Sequence, residues 1–486
     1  MFKLSQIITA SALLQLAGCA VDVTRENPQE AYGTVSEFTS EASVFDTTRA
    51  PKDSWWQLYN DDTLNALVIE ALQANKGLKA ANANLRRAQS VLQEVDSRRL
   101  PATDINGGVA YGDGIPATGM SIGDTQVVQH GTLSVGWEAD LFGRVSEAIN
   151  AANAEMLAVQ AARDGVRVTV AAETTRAYLN ACSFGYSLAV AEQSLAASQE
   201  QLWLVAAMEQ AGSAVEADIE RAKGVVAGVR ADIPQLTAAR RVALLQLAAL
   251  MGRTPDDIPV AASQCTTPPQ PGQILPVGSA KELLRRRPDL REAEARLSGD
   301  AARLDVAIAE LYPQISLGAG INYFNSEAIN TSDAFSFSLG PLISWRFPNQ
   351  QQSRARIRQA EAQQQAAFAR LEEEVLNALS EVEQAMENVV AQQQRTAALK
   401  TSLKAYQRAF EITQTRYEAG ASSYIEVLTA QQDLLNVRSS HSAALQQLAA
   451  QRVTLFKALG GGWQQSLKSP LPTNAAHSEQ GEKHDI

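Results

Sequence analysis

From Gln350 to Ala419 the chain runs 70 residues without a glycine or a proline. Within that run Leu371, Val375, Ala378, Val382, Ala385 and Val389 step by four and three, and Leu399, Leu403, Tyr406 and Phe410 do the same. The spacing predicts one amphipathic helix, on the order of 105 Å long at about 1.5 Å per residue. Such a helix cannot be buried inside one globular domain; it needs helical partners alongside, as in a coiled coil. A second run, Arg144 to Ala211, has no proline and only Gly165 and Gly185. Each run ends in a turn, at Gly212 and at Gly420, where glycine supplies the positive φ of a helix end. An aromatic content of 6% suits long Ala/Gln/Leu helices better than compact aromatic-cored domains.

The chain is also written twice. Leu78, Ala81, Leu85 and Pro101 recur as Leu290, Ala293, Leu297 and Pro313 at an offset of 212. Trp137, Gly212 and Gly252 recur as Trp345, Gly420 and Gly460 at 208. The difference falls between Pro101 and Trp137, where a hairpin loop tolerates it best. Each half reads as helix, two strands, very long helix, tight turn, second long helix. Ile315, Leu317, Ala319, Ile321 and Tyr323 alternate with small or polar residues, as do Phe335, Phe337, Leu339, Pro341, Ile343, Trp345 and Phe347. In the first copy the alternating set is Val109 and Tyr111, then Leu133, Val135, Trp137, Ala139 and Leu141. Period two fits a transmembrane barrel strand or a half-buried soluble sheet, and the length of the helices favours the barrel. Pro341 lacks the N–H of a ladder bond, which predicts a bulge or an edge of pairing there. Four strands per chain cannot close a barrel; three or six chains could.

Composition narrows the function classes. A net charge of −11 with no basic patch excludes phosphate-backbone binding, so no nucleic acid is expected. Three cysteines exclude a four-thiolate zinc site, and four histidines sit at no ligand-like spacing, so no metal is expected. Phosphate-loop, dinucleotide, nucleophile-elbow and zinc-protease motifs are absent from the sequence, and it reads as no enzyme, with no catalytic residues. Residues 1–18 have the layout of a secretory signal peptide, too short in their apolar part to span a bilayer. Leu16-Ala17-Gly18-Cys19 reads as a lipobox, cut before Cys19, which then carries a covalent lipid as the chain's only prosthetic addition. Ala20 rather than Asp follows, as in lipoproteins sent to the outer membrane.

The combination resembles the TolC-like outer-membrane efflux factors, and within them the NodT-type lipoproteins that include OprM-type channels. The motifs are Ser54-Trp55-Trp56-Gln57-Leu58-Tyr59 with Leu64 and Leu67, Asn75-x-x-Leu78-x-x-Ala81, and Trp137-Glu138-Ala139-Asp140-Leu141-Phe142-Gly143-Arg144. Arg416-Tyr417-Glu418-Ala419-Gly420 leads into Ser423-Tyr424-Ile425-Glu426-Val427-Leu428, and Ile233-Pro234-x-Leu236 looks like the family's fourth long helix. The resemblance implies an α+β membrane protein: a homotrimer with a 12-stranded transmembrane β-barrel, four strands per chain, continued by a long α-helical periplasmic barrel. It implies a passive exit duct, lipid-anchored in the bacterial outer membrane, serving an RND-type inner-membrane pump through a periplasmic adaptor. The rival functions are a duct for protein secretion and a periplasmic coiled-coil lipoprotein scaffold. The expected organisation is a signal peptide at 1–18, a lipidated segment at 19–54 and a first repeat at 55–253 with strands at about 101–115 and 127–142. An equatorial linker at 254–279 follows, then a second repeat at 280–462 with strands at about 313–325 and 333–347, and a disordered tail at 463–486.

Asp218 and Glu426 stand six residues beyond Gly212 and Gly420, the helix-turn tips, and are equivalent by the repeat offset. A ring of such carboxylates in a narrowing tunnel attracts cations; a solvated helical face is the plain alternative. The resemblance implies a periplasmic gate in which Glu426 supplies an acid, Ile425 an apolar constriction and Tyr417 an aromatic that holds the closed state. Ser422 and Thr429 depart from the family pattern, at the places of an arginine tether and of an acid. Trp137, Trp345, Phe347 and Tyr111 read as an interfacial girdle, and Trp55 with Trp56 as packing of the N-terminal segment. Cys182 and Cys265 read as free buried thiols; a bridge between them would need the linker to wrap near the helix carrying Cys182.

Overall fold

The computed structural model describes residues 23, 25–33, 38–39, 44–114, 121–272, 274–325 and 334–461. Cys19, the signal-peptide reading and the tail at 463–486 lie outside the described residues. The main elements are helices α1 (Asp62–Ala74) and α2 (Lys76–Asp96), strands β1 (Ala102–Gly114) and β2 (Ser121–Ala139), and helices α3 (Arg144–Gln210) and α4 (Glu216–Leu250). After the linker come α5 (Pro288–Ala309), β3 (Gln314–Asn325), β4 (Phe335–Ser344), α6 (Gln351–Glu418) and α7 (Tyr424–Ala458). Among the described residues no helix is long and apolar enough to cross a membrane. The chain divides into two compact units, one of residues 1–35, 81–163 and 288–377, the other of 36–80, 164–287 and 378–486.

The first unit holds an antiparallel sheet in the order β1-β2-β3-β4. Odd-numbered residues share one face across all four strands. Ile105, Leu133, Ile321 and Phe337 form one row on it, and Thr103, Val135, Ala319 and Leu339 the next. Several apolar members of this face are bare, Ile105 at 82% exposed and Phe337 at 85%, while Val135 and Ala319 are half-buried. The even face carries Asp104, Ser134, Gly320 and Ser338, then Asn106, Thr132, Asn322 and Ser336. The odd face is mainly apolar and, among the described residues, largely uncovered, the reverse of what a soluble sheet does with such a face. Pro341 pairs with Leu317 on the edge strand β4, with no shift of register, so the pairing edge is present and the bulge is not. The Phe324 N–H donates to the Ala334 carbonyl at 2.7 Å, which makes the even pairs of β3 and β4 the hydrogen-bonded ones. Pro341 therefore turns its bare nitrogen to the open edge, where it costs the β3–β4 ladder nothing.

The joints around the sheet account for several sequence motifs. Trp137 Nε1 donates to the Arg99 carbonyl at 2.9 Å, and Trp345 Nε1 to the Leu311 carbonyl at 3.0 Å. Each indole thus ties the end of a hairpin to the residues before its first strand. Glu138 pairs with Arg144. Asp140 Oδ1 and Oδ2 accept the Val145 and Ser146 N–H groups at 2.9 and 2.8 Å, capping α3. Gly143 takes the positive φ of the turn, at 78°. The last strand ends at Ser344 rather than at Phe347, because Trp345 bonds Leu311 and stacks on Phe347 at 4.6 Å, leaving the ladder.

The second unit is mainly helical and holds an apolar core around Trp55 and Phe456 and a separate apolar cluster at the helix-turn tips. Trp55 is wholly buried and stacks on Phe456 at 4.9 Å, with Trp56, Leu64 and Leu67 beside it. Asn75 Oδ1 accepts the Leu78 N–H at 3.0 Å and caps α2, while its Nδ2 donates to the Leu250 carbonyl at 2.8 Å. The stripe predicted on α6 is buried from Leu371 to Val389, whereas Leu399, Leu403 and Phe410 are half-buried and Tyr406 is exposed. Pro234 sits inside α4 without ending it. A further expectation is overturned. Cys182 and Cys265 form a disulfide, because the linker does pass over α3 at Cys182.

Candidate functional site: the helix-turn tips

Both turns of the second unit are built alike. Gly212 and Gly420 have φ of 73° and 74°. The Ser213 N–H donates to the Met208 carbonyl and the Ala421 N–H to the Arg416 carbonyl, each at 2.8 Å. This six-to-one bond around a left-handed glycine closes a helix end, and a side chain at either position would meet strain from φ, not from crowding.

Just beyond each turn an acid sits at the third helical position. Asp218 Oδ2 accepts the Val215 N–H at 3.4 Å, and its Oδ1 accepts from Arg221 Nη1 at 2.9 Å. Glu426 Oε1 accepts the Ser423 hydroxyl proton at 3.2 Å. Both placements put negative charge at a helix N-terminus, where the dipole favours it. Ile425 is 53% exposed and lines a groove of about 640 Å³ between α4 and α7, together with Arg221, Gly224, Gly228, Leu428 and Thr429. Glu426 is exposed and does not line that groove.

Tyr417 is buried, and its partner is a residue the sequence reading did not single out. Tyr424 lies across the turn with ring centroids 5.6 Å apart, and the two rings pack with Val205, Ala222, Val427 and Leu428. A signal was available, since the two tyrosines flank Gly420 by three and four residues, on either side of a reversal. Burial, and then the neighbouring Tyr417 and Asp218, push the Tyr424 phenol up to about 12. Burial and then Asp218 raise Tyr417 as well. Asp218, Tyr417 and Tyr424 are thus brought into one neighbourhood, and Ile425 and Glu426 stand outside it. Among the described residues no group of three or more His, Cys, Asp or Glu side chains could hold a metal ion.

A family model for outer membrane efflux proteins matches residues 67–253 and 280–461. The chain belongs to the outer membrane efflux protein family. Nodulation protein T of Rhizobium leguminosarum bv. viciae is 26% identical over 412 residues, which cover 84% of this chain and 84% of that protein. The solvent efflux pump outer membrane protein SrpC of Pseudomonas putida is 29% identical over 474 residues, covering 93% and 97%. Among solved structures, the outer-membrane channel OprN matches with a TM-score of 0.82 at 29% identity, over 92% of this chain and 99% of that one. These likenesses agree with the TolC-like, NodT-type resemblance carried by the motifs. As an outer membrane efflux protein the chain works in the outer membrane as part of an efflux system, and the family is a class of channels, not of enzymes.

Proposed function

We propose that the chain is the exit duct of a tripartite efflux system, passively conducting substrates delivered by an RND-type inner-membrane pump through a periplasmic adaptor. Three copies close one twelve-stranded barrel, and their long helices form the periplasmic tunnel; an internal two-fold repeat supplies both. The observation that carries this reading is the sheet with its bare apolar odd face and its small polar even face, open at the edges of β1 and β4. Lipid covers the first face, water fills the space behind the second, and pairing with neighbouring copies removes both edges. Cys19 carries the lipid anchor. The tips at Gly212 and Gly420 form the periplasmic end, closed at rest, with Ile425 and Glu426 setting the constriction.

Planar-bilayer recording on the purified, cross-linked oligomer tests this reading. Cross-linking should saturate at three chains, and the trimers should conduct. Ile425→Ala should widen the closed pore with ion selectivity unchanged, whereas Glu426→Ala should weaken block by divalent cations. A monomeric or hexameric endpoint would refute the twelve-strand closure. Unchanged conductance, selectivity and block in both variants would remove these two residues from the gate.

A further inference from the structure

The linker between the two halves is seated on the helices by four features. Cys265 is bonded to Cys182 of α3 across 83 positions of sequence. One turn along α3, Gly185 leaves a notch: a Cβ there would stand 2.5 Å from the Cys265 carbonyl oxygen. From α4, Arg240 Nη2 donates to the Ser263 carbonyl at 2.7 Å and to the Cys265 carbonyl at 3.0 Å. Ala262 of the same stretch is wholly buried in the core that holds Cys182. We infer that Cys182–Cys265 is an oxidative clasp, made by a thiol oxidase of the periplasm, that locks the linker across α3 and α4. This rests on the reading above for one thing, the periplasmic placement of the helices.

The notch and the guanidinium hold the backbone of Cys265 in place, so the two sulfurs meet as groups of one rigid site and not as the ends of a floppy loop. Burial sets the order of events. Cys265 keeps some exposure and Cys182 has none, so Cys265 meets the oxidase first. Its thiolate attacks the oxidase disulfide, forming a mixed disulfide and releasing one oxidase thiol. The Cys182 thiolate then attacks the Cys265 sulfur; the new S–S bond forms and the second oxidase sulfur leaves as a thiol. Two cysteine thiols lose two electrons and two protons, and the oxidase disulfide becomes a dithiol. The clasp fixes α3 to α4 at the level of Gly185 and Arg240. Movement at the Gly212 tip is then confined to the stretches of the two helices between clasp and turn. The repeat offset puts Val390 where Cys182 stands, so the α6–α7 pair has no such lock and is the freer of the two.

The full-length protein, alkylated at lysis without reductant, tests the inference. Mass spectrometry should find the Cys182 and Cys265 peptides joined and unalkylated. Hydrogen exchange of residues 254–268 should quicken at least tenfold after phosphine reduction and in the Cys182→Ser/Cys265→Ser variant, with 424–458 unchanged. Gly185→Val keeps both thiols and should lower the bridged fraction severalfold. Alkylation of both cysteines in the unreduced protein would overturn the clasp. So would equal exchange at 254–268 in the oxidised and reduced forms. Protease accessibility of the helices in spheroplasts shows independently whether the periplasmic placement itself has failed.

Discussion

The two tyrosines at the Gly420 turn show how a pair of side chains carries a tip. Their rings bury apolar surface on both sides of the reversal, while the two hydroxyls are buried with no hydrogen-bond partner among the described residues. The ring, not the oxygen, therefore stabilises the turn. Tyr424→Phe should leave thermal stability unchanged or raise it by up to about 1 kcal/mol, since it removes an unmet polar group. Tyr424→Ala should cost about 3–5 kcal/mol, the usual loss for a buried aromatic. Melting of the detergent-solubilised protein measures both. The pH dependence follows from the same burial. In the unfolded chain the phenol ionises near 10, and in the folded tip near 12. The contribution of Tyr424 is thus whole below pH 10 and fades as pH rises from 10 to 12. Ultraviolet titration should show this late tyrosine in the wild type and lose it in Tyr424→Phe. A Tyr424→Phe variant less stable than wild type would mean that the hydroxyl is bonded in the assembly.

At the level of elements, the two hydrophobic periods were legible because each is enforced by one repeated geometry. Period two located all four strands, although β2 runs from Ser121 to Ala139 and not from about 127 to 142, because alternate residues share a face and each face here is mostly apolar or mostly small and polar. The four-and-three stripe from Leu371 to Val389 marked the buried side of α6 for the same kind of reason. What the pattern could not give was anything fixed by the path of a loop. The Cys182–Cys265 bond depends on where the linker turns, and the notch at Gly185 reads in sequence as a helix weakness until Cys265 is seen above it. The end of β4 was missed because the indole of Trp345 finds a carbonyl, which no alternation reports. At the tips, the glycines and the acids were legible by the repeat offset, but not the capping bonds that Asp218 and Glu426 make. The two sheet faces give a sharp test. On the proposed barrel, Phe337→Arg would put a charge on the lipid side and should destabilise it by about 2–4 kcal/mol near the bilayer midplane. Its neighbour Ser338→Arg, on the other face, should insert normally and shift ion selectivity toward anions. Heat-modified mobility of the outer-membrane fraction reads the first, and bilayer recording the second. Equal tolerance of both would mean that the odd face does not meet lipid.

For the whole molecule, the proposed lipid on Cys19 and the proposed barrel would divide the work of holding the membrane. In the first unit Val23 packs on the cluster of Leu304, Leu311 and Ile357, and Arg25 pairs with Asp305 at 2.6 Å. Tyr32 Oη donates to Glu294 Oε2 at 3.2 Å, so the segment follows α5 from its C-terminal end backwards. Cys19 is four residues before Val23, a reach of at most about 14 Å even fully extended. Leu311 lies three residues before β3 begins. On the proposed reading, a lipid on Cys19 would be held within that reach of Val23. Each acyl methylene contributes about 0.8 kcal/mol, so several chains hold an unassembled monomer firmly. If three sheets close as proposed, their apolar faces should hold the membrane without the acyl chains, and the anchor should become redundant for retention. Cys19→Ala, given a signal peptide that is still cleaved, should lose palmitate labelling completely. It should yield fewer trimers, because monomers are no longer held at the membrane. The trimers that do form should conduct like the wild type and resist extraction by high salt or carbonate. Palmitate incorporation, trimer yield on unheated gels and single-channel conductance measure the three parts separately. Equal labelling of wild type and variant would remove the lipid from Cys19, and an undiminished trimer yield would remove its role in assembly.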